Sequence, residues 1–158
     1  MQWSQVLEDP TLQNLPYKIE LNEWGNIVLS PASNRHGLLQ AELAGLLREQ
    51  KTQGKVLTEC SIDTFKGVKV ADLAWGSTAF FQHNGVNTPY PEAPELCIES
   101  LSPSNSQGEM EQKIQLYLAK GAREVWLCSE QGALEFYGYR GPLERSELFP
   151  AMPLRADI

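Results

Sequence analysis

The chain has 158 residues, a length typical of a single domain with its own hydrophobic core. Hydrophobic residues make up 42% and charged residues 21%, close to the averages of globular proteins, which excludes a disordered, collagenous or coiled-coil protein. The formal net charge is −7 and the isoelectric point is about 4.9, so we expect no strong electrostatic attraction to nucleic acids or anionic membranes.

The chain contains three cysteines, each within an apolar, strand-like run: Cys60, Cys97 and Cys128. They form neither a C-x-x-C pair nor an even set, which favours buried, reduced thiols in a cytoplasmic protein. The first residues, Met1-Gln2-Trp3-Ser4, lack the regions of a signal peptide, and no apolar run approaches the length of a membrane span. We therefore expect a protein that is neither exported nor inserted in a membrane.

The first elements predicted along the chain are a hairpin and a helix. Residues 1–30 are interpreted as an N-terminal extension that carries a hairpin, with strands at Tyr17–Leu21 and Asn26–Ser30. A helix is predicted to begin near Ser33. Four leucines after it recur at helical spacing and define one apolar stripe: Leu39, Leu43, Leu46 and Leu47.

The middle of the chain predicts a second hairpin followed by a long loop. Val56–Phe65 and Val68–Trp75 read as strands, and the Lys66-Gly67 turn between them favours antiparallel pairing. Residues 76–94 are rich in Gly, Asn and Pro, which predicts a long loop. Its aromatic side chains are candidates for contact with substrate bases or a partner subunit, but packing back on the body of the protein is the favoured interpretation.

The next segment predicts a strand, a helix and a second strand. Leu96–Leu101 is apolar apart from Glu99, the pattern of a buried central strand. Residues 106–109 offer a capping box for a helix that should run to Lys120. A right-handed crossover would then lay Val125–Cys128 parallel to the strand that carries Glu99.

The chain is predicted to end with Leu134–Tyr139, a more exposed strand, and a wrapping tail at residues 140–158. The sequence shows no internal repeat, low-complexity tract or domain boundary. Together these elements predict one α/β domain over residues 1–158, with a central mixed β-sheet and helices on its faces.

Two carboxylates stand in apolar strand sequences. Glu99 lies in Leu96–Leu101 and Asp72 in Val68–Trp75, and neighbouring strands can bring them together. A buried carboxylate needs a cation or a hydrogen-bond donor in place of its lost hydration, and a metal ion would meet that need. In the structural alternative, each side chain caps a strand end or pairs with a lysine. Spacing alone slightly favours this alternative.

The helix that follows Glu99 carries a lysine near its apolar face. Lys113 lies about sixty degrees from the centre of the apolar stripe and can reach toward Glu99. Alternatively, Lys113 is exposed on a solvated face and forms a surface pair with Glu109, worth a few tenths of a kcal/mol. Without further information, the surface pair is the favoured interpretation.

An acid, a second acid and a lysine on two strands and the following helix resemble the PD-(D/E)XK nuclease superfamily. More closely, the sequence looks like the Uma2 family of restriction endonuclease-like proteins, over about residues 17–154. The densest part of this resemblance is Pro94–Ser104. Further matching positions follow the family's spacing: His36, Asp72, Lys113, Tyr117, Gly121 and Glu124–Leu127.

The resemblance implies a restriction-endonuclease-like core and Mg²⁺-dependent hydrolysis of DNA phosphodiester bonds, with Mn²⁺ as a substitute ion. It assigns Asp72, Glu99 and Lys113 as catalytic residues. The two acids and the Ser100 backbone carbonyl would bind the ion, since all three present hard oxygens. Lys113 would orient or help to deprotonate the attacking water and stabilise the transition state.

Two positions depart from the superfamily pattern. Ala71 stands where a proline usually precedes the first acid, and Leu101 stands where the E-x-K lysine usually lies. The lysine is therefore expected from the next helix, as Lys113. Three more side chains are supporting candidates for the site: Glu42 as an outer ligand, His36 and Ser102.

Other chemistries have little support, because the chain has two histidines and lacks a nucleophile elbow, a P-loop and a convincing set of zinc ligands. The alternative function is a non-catalytic or repurposed nuclease fold that acts as a dimeric interaction module. Exposed aromatic residues such as Trp3 and Trp24, together with the family resemblance, predict a homodimer. Without a basic face, DNA binding in the absence of metal should be weak.

Overall fold

The structure is a computed structural model that describes residues 1–157. Its helices are α1 (Trp3–Glu8), α2 (Asn34–Gln50), α3 (Thr78–Asn84) and α4 (Gln107–Ala119), with a 3-10 turn at Pro10–Leu12. Its strands are β1 (Tyr17–Leu21), β2 (Ile27–Pro31), β3 (Lys55–Thr64), β4 (Gly67–Gly76), β5 (Leu96–Ser100), β6 (Glu124–Cys128), β7 (Leu134–Gly138) and β8 (Gly141–Leu143).

The central sheet is mixed. Its six strands lie in the order β3-β4-β5-β6-β7-β8, and β5 and β6 are parallel whereas the other neighbouring pairs are antiparallel. Helix α4 makes the crossover between the two parallel strands. Strands β1 and β2 form a separate antiparallel pair that packs against β4. The predicted fold class, an α/β protein with a mixed sheet flanked by helices, is confirmed.

Side chains along each strand alternate between the two faces of the sheet, so both faces are apolar. A helix packs on each face and forms an apolar cluster with it. In β6, Trp126 belongs to the cluster that contains α2, whereas Val125 belongs to the cluster that contains α4. The α2 cluster buries three of the four predicted leucines: Leu39, Leu43 and Leu47. The α4 cluster includes Met110, Ile114 and Tyr117. Each fully buried leucine contributes roughly 2 kcal/mol to folding.

One helix lies where the sequence predicted a loop. Helix α3 occupies part of residues 76–94, and the Ser77 side chain caps it by accepting a hydrogen bond from the Phe80 N–H at 3.1 Å. Phe80 packs edge-to-face on Tyr90 with ring centroids 5.0 Å apart, so these aromatic side chains do pack on the body. With 7 residues, α3 is too short for a helical period to be recognised.

The N-terminal segment differs from the prediction at Trp3. This residue begins helix α1, which the sequence analysis did not predict, and packs beside an apolar cluster formed by Val6, Leu21 and Val68. The expectation that Trp3 is exposed is therefore wrong. Trp24, in the turn between β1 and β2, is 75% exposed as expected.

Two features bear on the cellular environment of the protein. All three cysteines are buried free thiols, and burial raises the pKa of Cys60 to about 12 and that of Cys128 to about 11, which makes them poor nucleophiles. Within residues 1–157, none of the helices combines the length and apolar character needed to cross a bilayer. A cytoplasmic location stays a prediction.

Candidate active site

A cavity of about 270 Å³ lies between the β1–β2 hairpin, the start of α2 and the residues where β5 leads into α4. Asp72 of β4 and Glu99 of β5 both line it, as does Lys113 of α4. The structure therefore brings the acid, acid and lysine predicted from the sequence into one place. The two acids lie on neighbouring strands because β4 pairs with β5.

Asp72 is 1% exposed and is held in place by donors on both of its oxygens. The Ser100 N–H donates to Oδ2 at 2.7 Å. Lys18 Nζ and His36 Nε2 lie 2.9 Å and 3.2 Å from Oδ1. Burial alone would raise the pKa of Asp72, but the hydrogen bond from His36 and the charge of Lys18 hold it well below its ordinary value. Asp72 is therefore an ionised carboxylate.

Glu99 is equally buried but has a different electrostatic environment. Its Oε2 is 3.0 Å from Lys18 Nζ, and its Oε1 accepts hydrogen bonds from Lys113 Nζ at 3.2 Å and the Tyr117 hydroxyl at 2.7 Å. Burial raises the pKa of Glu99, and the charges of Lys113 and Lys18 offset this only in part. Two acids in one cavity with pKa values shifted in opposite directions are typical of catalytic sites.

Lys113 is buried, so the interpretation of an exposed lysine in a surface pair is wrong. Its Nζ lies 2.9 Å from Glu20 Oε2 and 3.2 Å from Glu99 Oε1, and its side chain is 8% exposed. The Glu109 carboxylate instead accepts from the Ser106 N–H and closes the capping box that begins α4. Lys113 is therefore fixed between two carboxylates at the wall of the cavity.

Two charged residues of this network, Lys18 and Glu20, were not predicted from the sequence. They alternate along β1, where an apolar-polar pattern is equally typical of a strand with one face in water. Glu20 is 5% exposed, and its Oε2 accepts from the Val70 N–H at 2.7 Å. Burial would raise the pKa of Glu20, but the charges of Lys113 and Lys18 lower it. The only signal in the sequence was that Lys18 and Glu20 lie two positions apart, which places both side chains on one face of β1.

A distortion of β3 lies opposite Asp72. Glu59 has φ +54, a left-handed conformation that is costly for residues other than glycine, and the ladder between β3 and β4 skips the Glu59–Asp72 position. The Asp72 carbonyl accepts instead from Gln40 Nε2 at 3.0 Å. The Glu59 carboxylate lies at the site: ligand atoms of His36, Glu59 and Asp72 all lie within 4.8 Å of one another.

The supporting candidates divide into two groups. His36 and Ser102 line the cavity, and so does Ser100. Glu42 is exposed and does not line it. His36 and Gln40 lie one turn apart on the face of α2 that meets the cavity, whereas a residue two positions beyond Gln40 projects about 200 degrees away. The geometry therefore gives no support to Glu42 as a ligand.

The mixed sheet, with its two acids on adjacent strands and a lysine from the following helix, defines a restriction-endonuclease-like fold. The profile of the Uma2 family, described as "Putative restriction endonuclease", matches residues 3–150. The chain therefore belongs to the Uma2 family, and a nuclease-type hydrolase is the class that this family supports.

A solved structure supports the same fold. The chain is similar to the crystal structure of "a putative nuclease belonging to DUF820 from Anabaena variabilis", with a TM-score of 0.76 and 18% sequence identity over 99% of this chain and 94% of that one. At this identity the likeness establishes the fold. A comparison with curated protein sequences finds no match.

Proposed function

We propose that this protein is a divalent-metal-dependent endonuclease that hydrolyses phosphodiester bonds in DNA, in a single domain over residues 1–158. Asp72, Glu99 and Lys113 are its catalytic residues. The observation that carries the proposal is that one ammonium group contacts both acids, at 2.9 Å and 3.0 Å. Two buried carboxylates that share one small cation are placed to share a metal ion.

The donor set fits Mg²⁺, with Mn²⁺ as a substitute. Asp72 and Glu99 offer hard carboxylate oxygens, and the Ser100 carbonyl is proposed as a third ligand. The imidazole of His36 and the carboxylate of Glu59 lie beside Asp72 and are suited to Mn²⁺ as well. When bound, the ion would stabilise negative charge on the scissile phosphate.

The protein's own side chains supply positioning and charge. Glu20 and Glu99 hold the Lys113 ammonium at a fixed place, from which it orients the attacking water and stabilises charge that develops on the phosphate. The Tyr117 hydroxyl donates to Glu99 at 2.7 Å and fixes the direction of that carboxylate. Ser102 and Asn105 present polar groups at the same wall for the substrate backbone.

The charge of the protein agrees with a substrate bound mainly at the site itself. With a net charge of −7, the surface gives little long-range attraction to a polyanion. We therefore expect weak DNA binding without metal and tighter binding when a divalent ion neutralises the acids.

Single-turnover cleavage of a mixed DNA pool in Mg²⁺, Mn²⁺ and EDTA tests the proposal. We expect wild-type cleavage in either metal and none in EDTA, with Asp72→Asn and Lys113→Met slower by about 1,000-fold. Glu111→Gln, which removes an exposed charge from the same helix, is the control and should cleave as wild type. Cleavage in EDTA, or unchanged rates in both site variants, would contradict the proposal.

A second candidate function is a dimeric interaction module of the nuclease fold, favoured by the exposure of Trp24 (75%) in the β1–β2 turn and Phe65 (72%) in the β3–β4 turn. Such aromatic side chains suit a twofold homodimer interface. Light scattering should then give twice the monomer mass of 17.7 kDa, and Trp24→Ser should give the monomer. Metal binding without cleavage would favour the module over the enzyme.

A further inference from the structure

Lys18 stands at the position where one cation contacts both acids. Its Nζ lies 2.9 Å from Asp72 Oδ1 and 3.0 Å from Glu99 Oε2. The opposite oxygens are already engaged: Oδ2 of Asp72 accepts from the Ser100 N–H, and Oε1 of Glu99 accepts from two side chains of α4. Lys18 contacts the remaining two oxygens, Asp72 Oδ1 and Glu99 Oε2, and His36 Nε2 also lies 3.2 Å from Asp72 Oδ1. A metal ion shared by both acids would take these two oxygens.

A metal ion and the Lys18 ammonium cannot share this position. Mg²⁺ binds carboxylate oxygens at about 2.1 Å, so an ion between the two acids would lie in contact with Nζ. Both groups are positively charged, and the low dielectric of a buried site strengthens their repulsion. Binding of the ion therefore requires that the ammonium moves.

The surroundings of Lys18 allow that movement. Lys18 lies on β1, in the two-stranded sheet, while both acids lie on the six-stranded sheet. Its flexible four-carbon stem lets the amine swing without a change in backbone. The cavity of about 270 Å³ beside it is lined by Glu59 and Glu109, two acidic residues that offer new partners to the ammonium.

We propose that Lys18 is the resident cation of the metal site, which holds Asp72 and Glu99 together in the metal-free protein and is exchanged for a divalent ion. This inference rests on the proposed function. The exchange breaks no covalent bond: the ion takes the two carboxylate oxygens, and the ammonium moves into the cavity. There it faces the space in which a substrate phosphate would lie, and its charge becomes available to bind it.

Isothermal titration with Mn²⁺ and Mg²⁺ tests the exchange. Lys18→Met removes the competing charge but keeps an unbranched, flexible side chain that is only one atom shorter, so we expect its metal affinity to exceed that of wild type by about 10-fold or more. Lys69→Met is the matched control, because Lys69 is a partly buried lysine of β4 that contacts neither acid. Its metal affinity should equal that of wild type. An affinity of Lys18→Met equal to or below that of wild type would overturn the exchange.

A second measurement uses wild-type protein and needs no variant to fold. Amine labelling with a succinimidyl ester, followed by peptide mass spectrometry, should modify Lys18 slowly in EDTA and several-fold faster in Mg²⁺. Lys113, which keeps Glu20 as a partner, should stay slow in both. An unchanged labelling rate at Lys18 in a protein that binds metal and cleaves DNA would overturn the exchange and leave the proposed function intact. Absence of metal binding in both wild type and Lys18→Met would overturn both.

Discussion

Two groups of buried carboxylates in this fold are neutralised in different ways. Glu124, at the start of β6, is 3% exposed and accepts hydrogen bonds from uncharged donors. Asp72 and Glu99 are each 1% exposed, but their partners include two lysines and a histidine beside an open cavity. The difference separates a carboxylate that holds the structure together from carboxylates that are available for chemistry.

Glu124 connects the C-terminal segment to β6 through hydrogen bonds. Each of its two oxygens has two donors: Trp126 Nε1 and Ser146 Oγ on Oε1, and the N–H groups of Glu147 and Leu148 on Oε2. These bonds tie the C-terminal segment to β6, where Phe149 and Met152 enter the core. A fully satisfied buried carboxylate with backbone donors has no group that a ligand can replace.

The acids of the cavity share one partner that can leave, the Lys18 ammonium. A lysine side chain is flexible. The two acids also differ from each other, because the pKa of Asp72 is lowered whereas burial raises the pKa of Glu99. Under the proposed function this arrangement serves catalysis, because a metal ion can replace a mobile cation but cannot replace a backbone N–H.

The largest expected effect that separates the two clusters is on catalysis. Glu99→Gln should lower the single-turnover cleavage rate by about 1,000-fold, roughly 4 kcal/mol of transition-state stabilisation. Glu124→Gln should keep the wild-type rate per folded molecule, because Glu124 does not line the cavity. Equal losses of rate in the two variants, after correction for the folded fraction, would contradict the assignment of Glu99 to the active site and of Glu124 to the structure alone.

The next largest effect is on the free energy of unfolding. It is expected at Glu124, the residue whose substitution should leave the cleavage rate unchanged. Glu124→Gln places an amide NH₂ against one of the two pairs of donors, so urea unfolding should show a loss of about 3 kcal/mol. Glu144→Gln, at an exposed position of the same C-terminal segment, should change stability by no more than about 0.5 kcal/mol. A change below about 1 kcal/mol for Glu124→Gln would show that the hydrogen bonds of Glu124 contribute little to the stability of the fold.

Lys113→Met should have an intermediate effect on stability in metal-free protein. Removal of the ammonium leaves Glu20 and Glu99 without a shared cation, which should cost about 2 kcal/mol, whereas an exposed lysine would cost about 0.5 kcal/mol or less. Urea unfolding of the double variant Glu20→Gln/Lys113→Met should recover part of the loss. Strictly additive losses would mean that the pair is not coupled.

The smallest effect concerns pH. The hydrogen bond with Asp72 raises the pKa of His36, although burial opposes it. The folded protein therefore binds the imidazole proton more tightly than the unfolded chain does. The resulting stability is fully present below the ordinary pKa of about 6.5 and is lost as the pH rises through the raised pKa.

Urea unfolding of wild type and His36→Gln at several pH values measures this contribution. The free energy of unfolding of wild type should exceed that of the variant most at about pH 5.5 and least at about pH 8.5. A stability difference that does not vary with pH would show that the His36–Asp72 contact does not involve the charged imidazole.

The sequence predicted the parts of the fold that have long, regular patterns. The leucine stripe of α2 and the apolar runs of β5 and β6 are dictated by local period, and the Ser106–Glu109 capping box marks the start of α4. Helices α1 and α3 were missed because each is less than two full turns long, so neither displays a period.

The candidate site was predicted only where apolar strands made a charge unusual. Asp72 and Glu99 are conspicuous in such strands. Helical spacing placed Lys113 within reach of Glu99, and the family resemblance favoured this role over the surface pair with Glu109. Lys18 lies 54 positions from Asp72 and 81 from Glu99, and its strand has the alternation of a solvated hairpin. Contacts of this kind depend on how two separate sheets pack, which local sequence does not determine.

A crystal structure of wild-type protein with Mn²⁺, with the ion located by its anomalous scattering, tests most directly whether Asp72 and Glu99 exchange Lys18 for a metal ion. We expect one strong peak within about 2.5 Å of both Asp72 Oδ1 and Glu99 Oε2, with the Lys18 amine displaced into the cavity and no ion at Glu124. A fully occupied Mn²⁺ site elsewhere, with Lys18 still between the two acids, would contradict this exchange.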